Sequence, residues 1–453
     1  MATKSSSMVT DLTNGSVTKL LLQFAFPLFV SNALQAVYNI VDMIVVGQFI
    51  GGAGMSAVSI GGDILHLLTF VAMGFSSAGQ VLVAQDVGAG RMDRVQKTIG
   101  TMFTFLLGIS VVISVGCYCI RDLMLGLLNT PAESYAYTMD YTVTCMVGLV
   151  FIYGYNIVSA ILRGMGDSKR PFVFIAIAAL VNIVLDIVFV AFMDMAVFGA
   201  ALATVISQAL SFVVALIYLY KHKESFGFDF RLQSFAINGE ALKKLLALGI
   251  PMAIQSAAIN ISKIVLTSWI NLSGVVFSAL SGIYNKINMV IGIVSNSFTT
   301  AGSSMVGQNL GAKKYDRVPV IMRTVGICGL AISGVLSVVL ILFSSQIFAM
   351  FTTDTEVLNS AYILVVPSVL NFFGAATRSI SFSLINGSGN TKLNFAVAII
   401  DGMIARVGIA ALLGFGFGMG CQGFWYGDAL AGFMPLFIGG CYYFFGNWKK
   451  DKN

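Results

Sequence analysis

Two carboxylates stand inside apolar stretches. Asp42 interrupts the run YNIVDMIVVG and Asp186 closes NIVLD, with Asn182 one helical turn before it on the same face. An ionisable group inside an apolar span costs about 2.5 to 3.5 kcal/mol on insertion scales, which makes each one a functional candidate by default. Loss of hydration favours the neutral form of a carboxylate and draws it toward a range where it gains and loses a proton in a working cycle. Asp42 and Asp186 are therefore expected to bind a proton or a cation. The alternative is a structural carboxylate held by neighbouring Asn, Thr or Tyr side chains.

The second half carries the opposite sign. Lys263, Lys286, Arg378 and Arg406 fall within its apolar stretches, where Asp401 and Asp428 are the only acids. Lys286 and Arg406 are expected mostly as partners of those acids or of helix-end carbonyls. Lys263 has two open readings: a counter-charge or anion-binding group facing a cavity, or a long side chain snorkelling to the interface. His66, beside Asp63, is a group that titrates near physiological pH and a further coupling candidate. No stretch carries a metal-ligating His/Asp cluster or a nucleophile with its base, which disfavours a membrane-embedded enzyme; no metal site is expected beyond sodium at Asp42 and Asp186.

These residues must be positioned by helices in a bilayer. The chain is 57% hydrophobic and 10% charged, against about 25% charged for a soluble domain. Such a chain cannot cover its own surface in water, whereas a hydrocarbon core of about 30 Å accepts apolar helices of about 20 residues. Apolar runs bounded by charge or Gly/Pro clusters give twelve spans, beginning near Leu20, Ala57, Ile99, Tyr137, Pro171, Val197, Leu245, Ala279, Ile321, Ala361, Asn394 and Gly423. The polar start, with Asp11 and Lys19, runs into an apolar segment too long for a removable signal and is expected to stay in the cytosol.

Loop charge supports the count. With the start inside, 21 of the 26 Lys and Arg residues fall in cytoplasmic segments, among them Lys4, Lys450 and Lys452, while the outer loops hold only Arg121. That asymmetry is the positive-inside pattern and places both termini in the cytoplasm. It also assigns the net charge of +6 to topology rather than to nucleic acid. Trp269, Trp425 and Trp448 fall near span ends, where interfacial rings are expected. The six cysteines lie in apolar segments without metal-ligand spacing and read as buried thiols. The 35 Phe and 21 Met suit a cavity that repacks around varied apolar ligands, although lipid-facing and packing roles account for most of them.

An internal repeat divides the chain. KLLLQFAFPL around Pro27 matches KKLLALGIPM around Pro251; the segment from Ala78-Gly79 to Asp93-Arg94-Val95, read as a loop, recurs from Ala301-Gly302 to Asp316-Arg317-Val318; RGMGDSK recurs as NGSGNTK. The offset between partners is nearly constant and close to half the chain. The expected lobes are residues 1–235, including the start of a basic connector from Lys221 to Glu240, and residues 236–453. Six spans per half is an even number, so both halves enter from the same side and are related by an axis along the membrane normal, a common transporter design.

The opening LTNGSVTKLLLQFAFPLF, the run LQAVYNIVDMIVVGQFIG, NIVLD in the fifth span and GAALAT at the start of the sixth resemble bacterial MATE (multidrug and toxic compound extrusion) transporters, within the MOP flippase superfamily. The resemblance spans both halves. It implies an all-α integral membrane protein with twelve helices in two six-helix lobes, V-shaped, that exchanges protons or sodium for drugs or metabolites across a bacterial inner membrane, as a monomer and with no cofactor beyond the coupling ion. Residue by residue, Asp42 matches the family's first-span acid, Asn182 and Asp186 its fifth-span Asn-x-x-x-Asp, and Thr204 its sixth-span Thr; Pro27 falls where the first span of some members bends. Lys286 and Arg406 resemble basic positions common in the family. Tyr38 and Asn39 of the YNIVD run, with Lys263, Lys286 and Arg406, are the expected cavity residues.

The chain departs from a sodium pattern of acids in the seventh and tenth spans: no Asp or Glu occurs between Glu240 and Asp316 or between Glu356 and Asp401. The leading expectation is thus a proton-coupled exporter of small amphipathic, often cationic organic molecules. Sodium coupling, or export of lipid-linked or anionic metabolites, is the alternative. A channel is a further rival, which would conduct without exchange stoichiometry.

Overall fold

Apolar runs that cross a bilayer fold as helices because hydrocarbon leaves their backbone groups no partner but one another. The computed structural model describes residues 10–449, with the backbone alone at residues 225–226; Lys4, Lys450 and Lys452, counted above among the cytoplasmic bases, lie outside the described residues. Among the described residues, twelve helices are long and apolar enough to span a membrane: α1 (Val17–Ile50), α2 (Gly52–Gly88), α3 (Met92–Cys119), α4 (Ala132–Gly164), α5 (Lys169–Phe192), α6 (Ala196–Lys221), α7 (Leu232–Asn271), α8 (Val275–Gly311), α9 (Arg317–Leu342), α10 (Thr355–Gly387), α11 (Thr391–Gly416) and α12 (Cys421–Phe445). The chain is a multi-pass membrane protein, and these are the twelve expected spans.

α2 and α8 have 37 residues each, about 55 Å at 1.5 Å per residue, and so outreach the hydrocarbon. The repeated motif read from sequence as a loop is helical up to Gly88 and again up to Gly311. Close contact with the RGMGDSK and NGSGNTK motifs explains why. In α4, a Cβ on Gly164 would stand 2.7 Å from the Gln80 carbonyl oxygen of α2; in α10, a Cβ on Gly387 would stand 2.9 Å from the Ser303 carbonyl oxygen of α8. Bare glycine lets each helix pair cross this closely, and the ends of α2 and α8 stay ordered against it. The α1–α2 and α7–α8 turns also repeat: Gly51 at φ +83° and Gly274 at φ +106° adopt backbone that L side chains rarely enter.

The described residues form two compact units, Phe26–Ile250 with Thr10–Asp11, and Leu12–Ala25 with Pro251–Lys449. In the first, α4 packs against α2, α3 and α6; in the second, α10 packs against α8, α9 and α12. By packing, the main divisions fall beside the two helix-interior prolines, Pro27 and Pro251. Proline has no N–H to offer the carbonyl one turn back, which weakens a helix there.

Specific bonds hold the leading segments. In the second unit, the Leu12 N–H donates to Gln308 Oε1 at 3.0 Å, Lys314 Nζ to Thr13 Oγ1 at 3.0 Å and Asn14 Oδ1 at 2.6 Å, and Arg317 Nη2 to the Gly15 carbonyl at 3.0 Å. In the first unit, the Asn238 N–H donates to Thr101 Oγ1 at 3.1 Å just before the main run of α7.

Large apolar residues such as Val112, Leu180, Val335 and Ile404 are exposed on span surfaces, as lipid-facing positions require. Two composition-based expectations are corrected. Trp425 is fully buried, tilted against the rings of Phe277 and Tyr284, and Trp448 is buried with its Nε1–H on the Tyr443 carbonyl at 2.8 Å; sequence position near a span end does not reveal which way a ring points. All six cysteines are free, but only Cys145 and Cys421 are buried, and Cys119 and Cys441 are exposed.

Candidate functional site

The first unit brings its two acids together. Asp42 on α1 is 4% exposed and Asp186 on α5 is 0% exposed, and the two are close enough to act on each other electrostatically. Asp42 accepts a hydrogen bond from Tyr141 of α4, which also feels Asp186, Tyr38 and Cys145. Asp42 Oδ1, both carboxylate oxygens of Asp186 and Asn182 Oδ1 are buried without a hydrogen-bond partner. Asn182 Nδ2 donates to Thr204 Oγ1 of α6 at 3.4 Å. No basic residue is among the charges that act on Asp42 or Asp186.

An isolated ionised carboxylate in apolar surroundings is prohibitively costly, so a buried one is neutralised, paired or bound to a cation. Here the described residues supply two carboxylates and no counter-cation. The remaining candidates of this unit surround or flank the acids. Tyr38 is half-buried and hydrogen-bonded to Gln208, and Asn39 is exposed. Pro27 lies about four turns before Asp42 on α1. His66 is exposed, meets Phe70 edge-on at 4.9 Å and interacts with Asp63.

α5 changes winding directly after Asp186, with a π-helical stretch over Ile187–Phe192. Such stretches are frequent at functional sites. The repeat-related part of α11, Leu412–Gly416, is π-helical too, although the repeat counterpart of Asp186 is the uncharged Ala410. The altered winding therefore belongs to the repeated architecture rather than to the acid.

The second unit places ion pairs where the first has neutral groups. Arg406 and Asp428 are the repeat counterparts of Asn182 and Thr204, and they too meet across neighbouring helices, Arg406 Nη1 donating to Asp428 Oδ1. Arg378 of α10 donates from Nη2 to Asp401 Oδ1 at 3.1 Å, Arg406 Nη2 lies 3.9 Å from the same oxygen, and the Tyr284 hydroxyl donates to Asp428 Oδ2 at 3.2 Å. Asp401 sits in a second π-helical stretch of α11, Ile400–Ala405. Lys263 of α7 is exposed, yet interacts electrostatically with Asp428, Arg406 and Arg378. Lys286 is exposed on α8 and is not among the charges that act on Tyr284, Arg378, Arg406 or Asp428.

Sequence reasoning named the charged members of both sites and the partners of Arg406. It missed Tyr141, Gln208 and Tyr284. The available signal was a polar group in an apolar span whose hydroxyl or amide needs a partner when buried.

The MatE family model matches residues 27–188 and 251–412, once in each repeat. The probable multidrug resistance protein YoeA of Bacillus subtilis is 30% identical over 100% of this chain and 99% of that protein. The probable multidrug resistance protein NorM of Thermotoga maritima is 22% identical over 96% of this chain and 94% of that protein. Among solved structures, a MOP superfamily transporter from Pyrococcus furiosus superposes with a TM-score of 0.87 at 21% identity, covering 96% of each chain.

Proposed function

We propose that this chain, which belongs to the MATE family of transporters and is not an enzyme, is a secondary exporter whose inward coupling ion is carried by Asp42 and Asp186. The single observation behind this reading is the pair of buried carboxylates with unpartnered oxygens and no counter-cation. Protons satisfy that site by neutralising the acids one at a time. Sodium is the second reading, supported by the neutral oxygens of Asn182 and Thr204 beside Asp186, which suit a hard cation.

The cargo we infer is small, amphipathic and often cationic, as for an exporter of the multidrug class to which the named relatives are assigned. The protein is proposed to work as a monomer in a bacterial cell membrane with both termini in the cytoplasm, in keeping with the positive-inside loops.

Two acids matter for the driving force. Exchange of one monovalent cation for one proton moves no net charge, so only the pH difference drives it, at about 1.4 kcal/mol per unit. If both acids load protons in each cycle, one net charge enters and a potential of 100 mV adds about 2.3 kcal/mol. Protonation need not occur at the substrate: it can act by bending α1 near Pro27.

The test is export from proteoliposomes under separately imposed proton and sodium gradients, with cationic, neutral and anionic compounds. Export of a cation driven by the pH gradient without sodium is the expected result. Flux that follows sodium at zero pH difference transfers the site to the second reading, and flux that dissipates without exchange marks a channel.

A further inference from the structure

We propose that the second unit holds an anion-binding site between Lys263 and Arg378, which takes a carboxylate or phosphate group. The inference rests on the membrane placement of this family member but not on its coupling ion.

Charge bookkeeping within the cluster is the first observation. Asp401 and Asp428 are matched by Arg378 and Arg406 through the contacts given above, which leaves Lys263 as a third cation that interacts with Asp428, Arg406 and Arg378 of that set. A surplus cation inside a bilayer is as costly as a surplus carboxylate.

Donor accounting is the second. Arg406 is 2% exposed, yet its Nε and Nη2 have no hydrogen-bond partner, and neither does Arg378 Nε; Asp401 Oδ2 is the one acceptor of the cluster left over. Three unpartnered guanidinium nitrogens against one oxygen leaves a deficit of acceptors. A planar oxyanion held by Arg378 and Lys263 relieves part of it, since guanidinium forks match carboxylate and phosphate geometry.

Access is the third. Arg406 is sealed, but the Arg378 side chain is 18% exposed and Lys263 is exposed, so a ligand reaches the cluster from their side. The first unit lacks each of these features: Asn39, the repeat counterpart of Lys263, is uncharged, and Asn182 and Thr204 replace the ionic pair.

The ligand is either an anion drawn from solution or a lipid headgroup, and the experiment separates them. The full-length protein is reconstituted in phosphatidylcholine nanodiscs and titrated with 2-naphthoate and with inorganic phosphate by calorimetry; in parallel, its thermal stability is read with and without phosphatidylglycerol in the disc. Lys263→Gln is expected to weaken naphthoate or phosphate binding at least about tenfold, with recovery in Lys263→Arg and no change in Asp42→Asn. Loss of phosphatidylglycerol-dependent stabilisation alone, with no soluble anion bound, assigns the site to a lipid headgroup. If Lys263→Gln does not fold, Arg378→Lys is titrated instead, with the same expected weakening. Equal binding of both soluble anions and equal lipid response in wild type and variant overturns the proposal. Because Asp42→Asn is included, failure of the anion site and failure of the coupling reading give different patterns.

Discussion

The two halves of this chain share helices, turns and close crossings but not the sign of their buried charge. In the first unit, Asp42 and Asp186 lie buried with unpartnered oxygens and no cation. In the second, Arg378, Arg406 and Lys263 outnumber Asp401 and Asp428. The positions of Asn182 and Thr204 recur as Arg406 and Asp428, so one helix crossing serves a neutral amide–hydroxyl contact in one copy and an ion pair in the other. Helix packing constrains volume and small residues, as at Gly164 and Gly387. Charge is free to diverge as long as each copy satisfies it, by the external ion proposed above in the first and largely by internal pairing in the second.

The largest expected effect that breaks this comparison is on coupling. Asp186→Asn keeps the side-chain shape but removes one exchangeable charge, so gradient-driven export is expected to vanish or to lose its dependence on membrane potential. Flux measured with a potassium–valinomycin potential at constant pH distinguishes these outcomes from an unchanged, potential-driven exporter, which would remove Asp186 from the mechanism.

Next in size is the internal pairing. Arg406→Ala leaves Asp428 buried with Tyr284 as its hydrogen-bond partner and no direct ion pair, and should destabilise the protein by about 3–5 kcal/mol, read as a lowered thermal midpoint in detergent. The double substitution Arg406→Asn with Asp428→Thr transplants the first unit's pair and should recover most of that loss. A double variant no more stable than Arg406→Ala would show that the two crossings are not interchangeable.

The smallest effect concerns the shared frame. Gly274→Ala places a side chain at φ +106°, where non-glycine residues cost about 1–3 kcal/mol. No other heavy atom stands within 4 Å of the added Cβ, so the cost is conformational alone, and Gly51→Ala should match it by the same thermal assay. A large difference between the two would mean that the repeat does not extend to these turns.

Much of this was legible in the sequence. Long apolar runs, the near-constant offset between repeated motifs and acids in hydrophobic context are one-dimensional signals, and they located the spans, the repeat and Asp42, Asp186 and Arg406. What was not legible depends on rotation and depth. Trp425 lies near a span end but points inward; Tyr141 and Tyr284 find their carboxylates only once α4 meets α1 and α8 meets α12. The π-helical stretches left no periodicity to read over five or six residues. The unit boundaries at the prolines escaped because packing, rather than connector composition, decides where Leu12–Ala25 belongs.

The central claim is that the buried acids of the first unit load the coupling ion. Its most direct test is proton-driven export of a cationic substrate by Asp42→Asn in proteoliposomes, alongside substrate binding by the same purified variant. Because Asn mimics the neutral acid, the account predicts a folded protein that binds substrate and exports none under a pH gradient. Export at the wild-type rate and expression level would contradict it.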